Sequence, residues 1–254
     1  MNYSIAFRTI VVKEVQRFMR IWPQTLLPPA MTTALYFLIF GKLIGDRIGV
    51  IDGASYMEYI VPGVILMAVI SHSYANVVSS FYSTKFQRHI EELLVAPIPN
   101  IVILAGYVSG GIIRGLMVGV VVSVISLAFT DIQVAHPGIA VAVFILTATL
   151  FALAGFINAV FADSFDDIAI IPSFVLTPLS YLGGVFYSVA MLPEIWQKIS
   201  LGNPILYMIN AFRYGLIGVT DVNIRIAFAI TTGFIVVLAF FSLYLLNKGV
   251  GIKT

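Results

Sequence analysis

The stretch PGIAVAVFILTATLFALAGFINAVF, residues 137–161, contains no charged side chain from its first residue to its last. A helix crosses the hydrocarbon core of a bilayer, which is about 30 Å thick, with about 20 apolar residues. Backbone polar groups cannot stay unpaired in lipid, and the stretch lacks the two-residue alternation of a barrel strand. It therefore predicts a transmembrane α-helix.

The rest of the chain has the same apolar character. Of its 254 residues, 60% are hydrophobic and only 10% are charged, and the mean hydropathy is +1.02. Soluble domains carry about 25% charged residues. A net charge of +2 without a basic arm argues against a nucleic-acid partner, and the lack of cysteine excludes disulfides and thiolate metal sites. The composition indicates an integral membrane protein.

Six stretches are long and apolar enough to cross the bilayer. The first follows Pro23, Pro28 and Pro29 and ends near residue 40, and the others cover residues 59–84, 101–129, 137–161, 168–189 and 226–247. They predict an all-α integral membrane protein with six transmembrane helices in a single transmembrane domain, residues 1–254.

Two segments outside these spans are expected to lie at the membrane surface. Residues 1–22 have apolar side chains at helical spacing with basic ones between them, which predicts an N-terminal amphipathic interfacial helix; a disordered basic tail is the alternative. Residues 190–222 are broken by Gly202 and Pro204 and predict an extracytoplasmic segment of short re-entrant or interfacial helices. A seventh crossing there is the alternative.

The orientation follows from the Lys and Arg residues in short loops, which are more frequent on the cytoplasmic side. With the N-terminus inside, eight such residues lie inside and five outside. Both termini and residues 85–99 are therefore expected to be cytoplasmic, in a bacterial inner membrane. The inner residues are Arg8, Lys13, Arg17, Arg20, Lys85, Arg88, Lys248 and Lys253, and the outer ones are Lys42, Arg47, Lys198, Arg213 and Arg225.

Residues 85–99, KFQRHIEELLVAPIP, form the most polar stretch in the middle of the chain. As one helix it places Phe86, Ile90 and Leu93 or Leu94 on one stripe. The same helix allows Arg88 to pair with Glu92 at i, i+4.

The charges and the end of this stretch are also informative. The cations come first and the carboxylates later, which is the order that a helix dipole disfavours. Pro97 and Pro99 then end the helix. A helix that docks on a soluble partner and an ordinary solvated loop both fit this pattern.

Polar side chains recur on one face of the second span: His72, Asn76, Ser79 or Ser80, and Ser83. Polar groups at membrane depth face protein or water. The stripe predicts either the path of a substrate's polar part or interhelical hydrogen bonds, which contribute about 0.6 kcal/mol each.

Gly111, Gly115 and Gly119 in the third span allow close packing, against a second protomer or a helix of the same subunit. Arg114 lies among them, and a charge inside a span costs about 2.5–3.5 kcal/mol unless it is paired. We expect Arg114 to lie roughly two turns from the cytoplasmic end and to pair with a carboxylate that starts the fifth span, Asp166 or Asp167.

Catalytic functions fit the sequence poorly. His72, His89 and His136 belong to a span, an inner loop and an outer loop, so they cannot form one metal site. A phosphate loop needs G-x-x-x-x-G-K-[ST], and the one Gly-Lys pair, Gly41–Lys42, lacks that context. A secondary transporter or channel driven by an ion gradient is the alternative, although no internal repeat supports it.

Several motifs resemble those of one transporter family. They are YMEYIVPGVILM at residues 56–67, FQRHIEELLVAPIP at 86–99 and the long stretch 161–218, which includes LGGVFY at 182–187, Leu192–Pro193, Trp196, Asn203–Pro204 and Arg213. In this order, and over essentially the whole chain, they resemble the membrane subunit of an ATP-binding cassette exporter of the type-2 (ABC-2) permease family, in particular bacterial permeases encoded beside a separate ATPase.

The resemblance implies a mechanism. Residues 85–99 would be the cytoplasmic coupling helix that sits in a cleft of the ATPase subunit, with contacts from Lys85, Phe86, Arg88, Ile90, Glu91, Glu92, Leu93 and Pro97. The chain itself would bind no cofactor, since ATP and Mg belong to the ATPase. Two permeases and two ATPases would assemble among membrane lipids and export an amphipathic or lipid-linked substrate past an outer gate at Tyr181, Phe186 and Tyr187.

Overall fold

The structure, a computed structural model, describes residues 3–131 and 133–251. The regular secondary structure of this part is helical apart from one antiparallel hairpin of β1 (Val50–Ile51) and β2 (Ala54–Ser55), in which Val50 pairs with Ser55. The α-helices are α1 (Tyr3–Met19), α2 (Trp22–Tyr36), α3 (Gly45–Ile48), α4 (Tyr56–Phe86), α5 (His89–Val95), α6 (Asn100–Ser126), α7 (Pro137–Phe161), α8 (Asp167–Ile171), α9 (Thr177–Leu182), α10 (Glu194–Leu201), α11 (Pro204–Ile217) and α12 (Ile224–Lys248).

Two π-helical segments interrupt otherwise continuous helices. Phe37–Ile44 joins α2 to α3, and Pro172–Leu176 joins α8 to α9. A single 3₁₀ turn, Val189–Met191, precedes α10. Because π-helical turns are rare and occur frequently at functional sites, these two helical runs are candidates for a functional role.

Four helices are long and apolar enough to cross a membrane: α4, α6, α7 and α12. They coincide with the second, third, fourth and sixth predicted spans, which confirms the all-α membrane class. The run Asp167–Leu182 is a shorter apolar helix over the fifth predicted span. The helical run of α2, the π-segment and α3 covers the first.

The helix α4 is the centre of the fold. It packs on both α6 and α7, and most of its side chains are buried. Its first turn is closed by a capping box, in which the Ser55 hydroxyl accepts a hydrogen bond from the Glu58 backbone N–H and the Glu58 carboxylate accepts one from the Ser55 backbone N–H. By contrast, α12 buries few residues and presents an apolar surface.

The predicted glycine stripe packs against α4 of the same subunit. A Cβ at Gly111 would lie 3.0 Å from the Ser73 carbonyl oxygen, and one at Gly115 would lie 3.3 Å from the Val69 carbonyl oxygen. Gly119 meets Val69 and Phe144. Since these positions have no room for a side chain, the stripe lets the backbones of α6 and α4 approach closely.

Candidate functional site

The polar segment at residues 85–99 contains a sharp break. The helix α4 ends at Phe86, Arg88 adopts a left-handed conformation with φ of 60°, and α5 begins at His89. The prediction of one continuous helix is therefore wrong, because Lys85 and Phe86 belong to the last turn of α4. We call residues 85–99 the coupling segment.

The break changes how the charges interact with the helices. Lys85 lies in the last turn of α4, and Glu91 and Glu92 lie in the first turn of α5. Both placements are favourable for the helix dipole, so the predicted conflict is absent. Arg88 forms no ion pair with Glu92 among the described residues, because it precedes α5 and lacks the i, i+4 geometry.

The apolar side chains of the coupling segment do not share one face, since some pack into the protein and others are exposed. Ile90 is 1% exposed and Leu93 packs against the core, so both anchor α5 to the protein. Phe86 is 63% exposed and Val95 is 86% exposed. The side chain of Leu94 lies outside the described part. Exposed large apolar side chains beside the carboxylates of α5 form a surface suited to a protein partner.

Lys85 joins the coupling segment to the loop that follows α7. Its ammonium donates hydrogen bonds to the carbonyl oxygens of Val160 (2.9 Å) and Ala162 (2.7 Å) and lies 3.8 Å from the Asp163 carboxylate. The Tyr82 hydroxyl donates to the Asp163 carbonyl at 2.9 Å. The end of α4 and this loop therefore form one connected surface.

Phe165, from the same loop, completes that surface. Its ring lies 4.9 Å from the Tyr82 ring and 5.2 Å from the Phe86 ring, both edge to face. A cavity of about 230 Å³ lies beside these rings and is lined by Lys85, Arg88 and Asp163 among others.

Arg114 pairs with neither predicted carboxylate in the described part of the chain. Arg114 lies about four turns into α6 rather than two, because α6 begins at Asn100. Asp167 accepts hydrogen bonds from the backbone N–H groups of Asp163 (3.0 Å) and Ser164 (2.8 Å). Hydrogen bonds from the Asp163 backbone and from Ser164 hold the pKa of the Asp167 carboxyl below its usual value. No described ion pair joins Arg114 to Asp166 or Asp167, so the predicted pairing is absent.

The polar stripe of α4 is divided between α1 and a cavity. Arg17 donates to the Asn76 side-chain oxygen (2.8 Å) and carbonyl (2.9 Å), and the Ser80 hydroxyl donates to the Glu14 carboxylate (2.7 Å). Ser79 donates to the carbonyl of Ala75, within its own helix. Asn76 and Ser80 thus make interhelical hydrogen bonds.

His72 instead lines a cavity of about 250 Å³ between α2 and α4. Ser71 and His72 of α4 face Thr32 and Tyr36 of α2 across it, and apolar side chains such as Met67 complete the wall. Among the described residues, no group of His, Asp and Glu side chains is placed to hold a metal ion. The cavity is therefore a mainly apolar site with a few polar groups.

An aromatic cluster adjoins the cavity through Tyr36. The Tyr36 and Tyr181 hydroxyls share a hydrogen bond of 3.2 Å, and the Phe186 ring lies 5.8 Å from Tyr36 and 4.8 Å from Phe40. Tyr187 donates to the Tyr181 carbonyl at 3.0 Å. The predicted gate residues thus lie together. Tyr36 could not be singled out from the sequence, because one tyrosine in an apolar span is not distinctive.

A second missed feature is the burial of Arg213. Its guanidinium is 0% exposed, donates to the carbonyl oxygens of Gly184 (2.6 Å) and Tyr59 (3.2 Å), and lies 3.8 Å from the centre of the Tyr59 ring. Asn210 accepts from both Arg213 (3.4 Å) and the Asp221 backbone N–H (2.9 Å). These bonds tie the LGGVFY loop to α4 and α11.

The Asp221 carboxylate extends this network. It accepts hydrogen bonds from the Ser188 hydroxyl (3.0 Å), the Val189 backbone N–H (3.3 Å) and the Tyr59 hydroxyl (3.4 Å). These hydrogen bonds therefore link Tyr59, near the start of α4, and residues 188–189 to the segment that follows α11.

The central buried helix α4 thus has a cavity beside it and the coupling segment at its end. The family model for the ABC-2 type transporter matches residues 5–217. The chain belongs to the ABC-2 type transporter family.

Known relatives extend this likeness over the full length. The chain is 55% identical over 253 residues to the inner membrane transport permease YadH of Escherichia coli K12, covering 99% of this chain and 98% of that protein. The permease of the same name from Shigella flexneri matches to the same extent. Nodulation protein J of Rhizobium leguminosarum bv. viciae is 24% identical over 220 residues, covering 84% of this chain and 83% of that protein.

Proposed function

We propose that the chain is the membrane subunit of a bacterial inner-membrane exporter driven by a separate ATPase that docks on the coupling segment. One observation carries the proposal. The helix α4 lines the cavity with Ser71 and His72 and leads, through its break at Arg88, directly into α5. A displacement of α5 can therefore pass to the cavity along one continuous helix, α4.

The exposed side chains of the coupling segment support an ATPase as the partner. Phe86, Val95 and the two carboxylates of α5 face outward, while Ile90 and Leu93 hold α5 to the protein. ATP and Mg would be bound by the ATPase, and this chain would hold no cofactor. In the proposed cycle, closure of two ATPases moves both coupling segments, and the aromatic cluster at Tyr36, Tyr181 and Phe186 opens for release.

A homodimer of the permease fits the exposure of the α8–α9 run. Ser180 is the buried side chain within Asp167–Leu182, while Ile170 and Phe174 are strongly exposed and apolar. We propose that this face meets the second copy, with lipid covering α12. The substrate would be amphipathic or lipid-linked, in keeping with a mainly apolar cavity that carries His72.

We propose six crossings in one domain, with both termini cytoplasmic and α1 lying along the interface. The helix α11, with 14 residues or about 21 Å, and the Asp167–Leu182 run are both shorter than the bilayer core, so length does not separate them; the burial of α11 does. Its burial against α4, α7 and α12 suits a re-entrant helix better than a seventh crossing. Lys253, one of the predicted inner cations, lies outside the described residues.

Single-cysteine labelling tests this orientation, because the chain has no cysteine of its own. We expect a membrane-impermeant maleimide to label a Gln133→Cys variant in sealed spheroplasts and to leave a Gln87→Cys variant unlabelled. Both positions are exposed, so detergent should make both reactive. Labelling of Gln87→Cys before permeabilisation would reverse the proposed orientation.

The energy source is tested by ATP hydrolysis in proteoliposomes that contain the chain and its co-purifying partner. We expect hydrolysis to depend on the permease and to persist when a protonophore dissipates the ion gradient. A secondary transporter or channel would instead show gradient-driven transport without any nucleotide dependence.

A further inference from the structure

A group of polar side chains from three helices lies beside the α2–α4 cavity. Arg17 comes from α1, His72 and Asn76 from α4, and Arg114 from α6. Arg114 lies one turn after Gly110 on α6. A Cβ added at Gly110 would lie 3.0 Å from Cγ of Glu14 and 3.4 Å from the Asn76 amide nitrogen. Since His72 also lines the cavity, the group and the cavity adjoin each other.

The positive charges of this group exceed the negative ones. The Glu14 carboxylate is fully buried, accepts a hydrogen bond from Ser80 and pairs with Arg17 at 3.4 Å. Arg114 has no carboxylate partner among the described ion pairs. The one carboxylate therefore pairs with Arg17 alone, and the half-buried Arg114 is left without a counter-charge, which is costly where water has little access.

The same side chains carry buried atoms without a hydrogen-bond partner. They are Nε of Arg17, Nδ2 of Asn76, Nε of Arg114 and Nδ1 of His72, and the partners are lacking throughout the described part of the chain. Asn76 is fully buried, and its oxygen already accepts from Arg17, so its amide nitrogen remains free to donate. Buried donors are normally paired, so these atoms are free to bond an acceptor that enters from outside the chain.

We propose that Arg17, His72, Asn76 and Arg114 bind the phosphate head of an anionic amphiphile whose apolar chain occupies the α2–α4 cavity. Guanidinium groups match the geometry of phosphate oxygens and form short, charge-assisted hydrogen bonds with them. The cavity wall supplies the complementary apolar surface through Val64, Met67 and Ala68. The inference rests on the proposed function, because it names the class of substrate that this site would carry.

The test uses the full chain purified in the neutral detergent dodecyl maltoside, with dodecyl phosphate as the probe and native mass spectrometry to count bound molecules. We expect Arg114→Gln to weaken dodecyl phosphate binding on the order of tenfold. Arg225→Gln removes one exposed cation on α12 and should bind dodecyl phosphate as strongly as the unaltered chain does. Equal binding by Arg114→Gln and the unaltered chain would overturn the proposal.

Two further arms keep the test decisive if Arg114→Gln does not fold. The unaltered chain should prefer dodecyl phosphate to 1-dodecanol, which has the same chain without the phosphate, and the absence of a preference would overturn the role of the charge. Inorganic phosphate should compete weakly. Competition as strong as that of dodecyl phosphate would show that free phosphate is the ligand and would overturn the amphiphile. No ATPase is present, so failure here leaves the docking proposal standing.

Discussion

Replacing Arg213 by glutamine should lower the thermal unfolding temperature of the detergent-solubilised chain by about 10 °C, because breaking a buried charge network costs about 3–5 kcal/mol. The guanidinium is fully buried and donates to the carbonyl oxygens of Gly184 and Tyr59, and the shorter amide cannot reach both. Loss of these bonds would leave the buried Gly184 carbonyl without its donor from Arg213 and would release the LGGVFY loop from α4.

Arg225→Gln is the matched control, since Arg225 is exposed and its removal should change the unfolding temperature little. Arg213→Lys separates charge from geometry. Lysine keeps the charge but lacks the planar guanidinium group that donates to two carbonyl oxygens at once. The unfolding temperature of Arg213→Lys should therefore lie between those of Arg213→Gln and the unaltered chain. Equal unfolding temperatures for Arg213→Gln and Arg225→Gln would contradict a structural role for the network.

Reversing both charges of α5, with Glu91→Lys and Glu92→Lys together, should reduce permease-dependent ATP hydrolysis by tenfold or more, on the order of the loss when charge pairs at an interface are reversed. Both carboxylates are exposed and bond to nothing described within the chain, so the permease should stay folded. Their proposed role is to meet the ATPase. Hydrolysis is measured in proteoliposomes at saturating ATP.

The control for this prediction is Glu194→Lys. Glu194 is also an exposed carboxylate in the first turn of a helix, so its reversal carries a similar helix-dipole penalty. It lies in α10, in the segment that we propose to be extracytoplasmic, and should leave hydrolysis unchanged. If the α5 double variant also hydrolysed ATP normally, the carboxylates of α5 would not form the docking contact.

The membrane helices could be predicted from the sequence because burial in lipid imposes a requirement on every residue of a span. The helix α7 was predicted at residues 137–161 and is observed at Pro137–Phe161. It starts at a proline after His136 and ends before Asp163, where the first charge appears. The hydropathy of a span is the sum of contributions from its own residues, so the span can be predicted without knowing the fold.

The details of the candidate site depend on contacts between distant residues, which a single sequence does not reveal. Arg213 contacts Tyr59 and Gly184, and Glu14 contacts Ser80, across long stretches of chain. The break at Arg88 was also missed, because a left-handed arginine is unusual and the helical pattern of residues 85–99 continues through it. Its position is fixed by tertiary contacts, including the hydrogen bonds of Lys85 to the loop after α7.

The central claim is that an ATPase docks on the coupling segment, and co-purification tests it most directly. The tagged chain is isolated from its native membrane in mild detergent, both unaltered and with residues 85–99 scrambled. The account predicts that an ATP-hydrolysing subunit of the ATP-binding cassette type accompanies the unaltered chain and is lost from the scrambled one. A chain that purifies without a nucleotide-hydrolysing partner, or a scrambled chain that retains one, would contradict it.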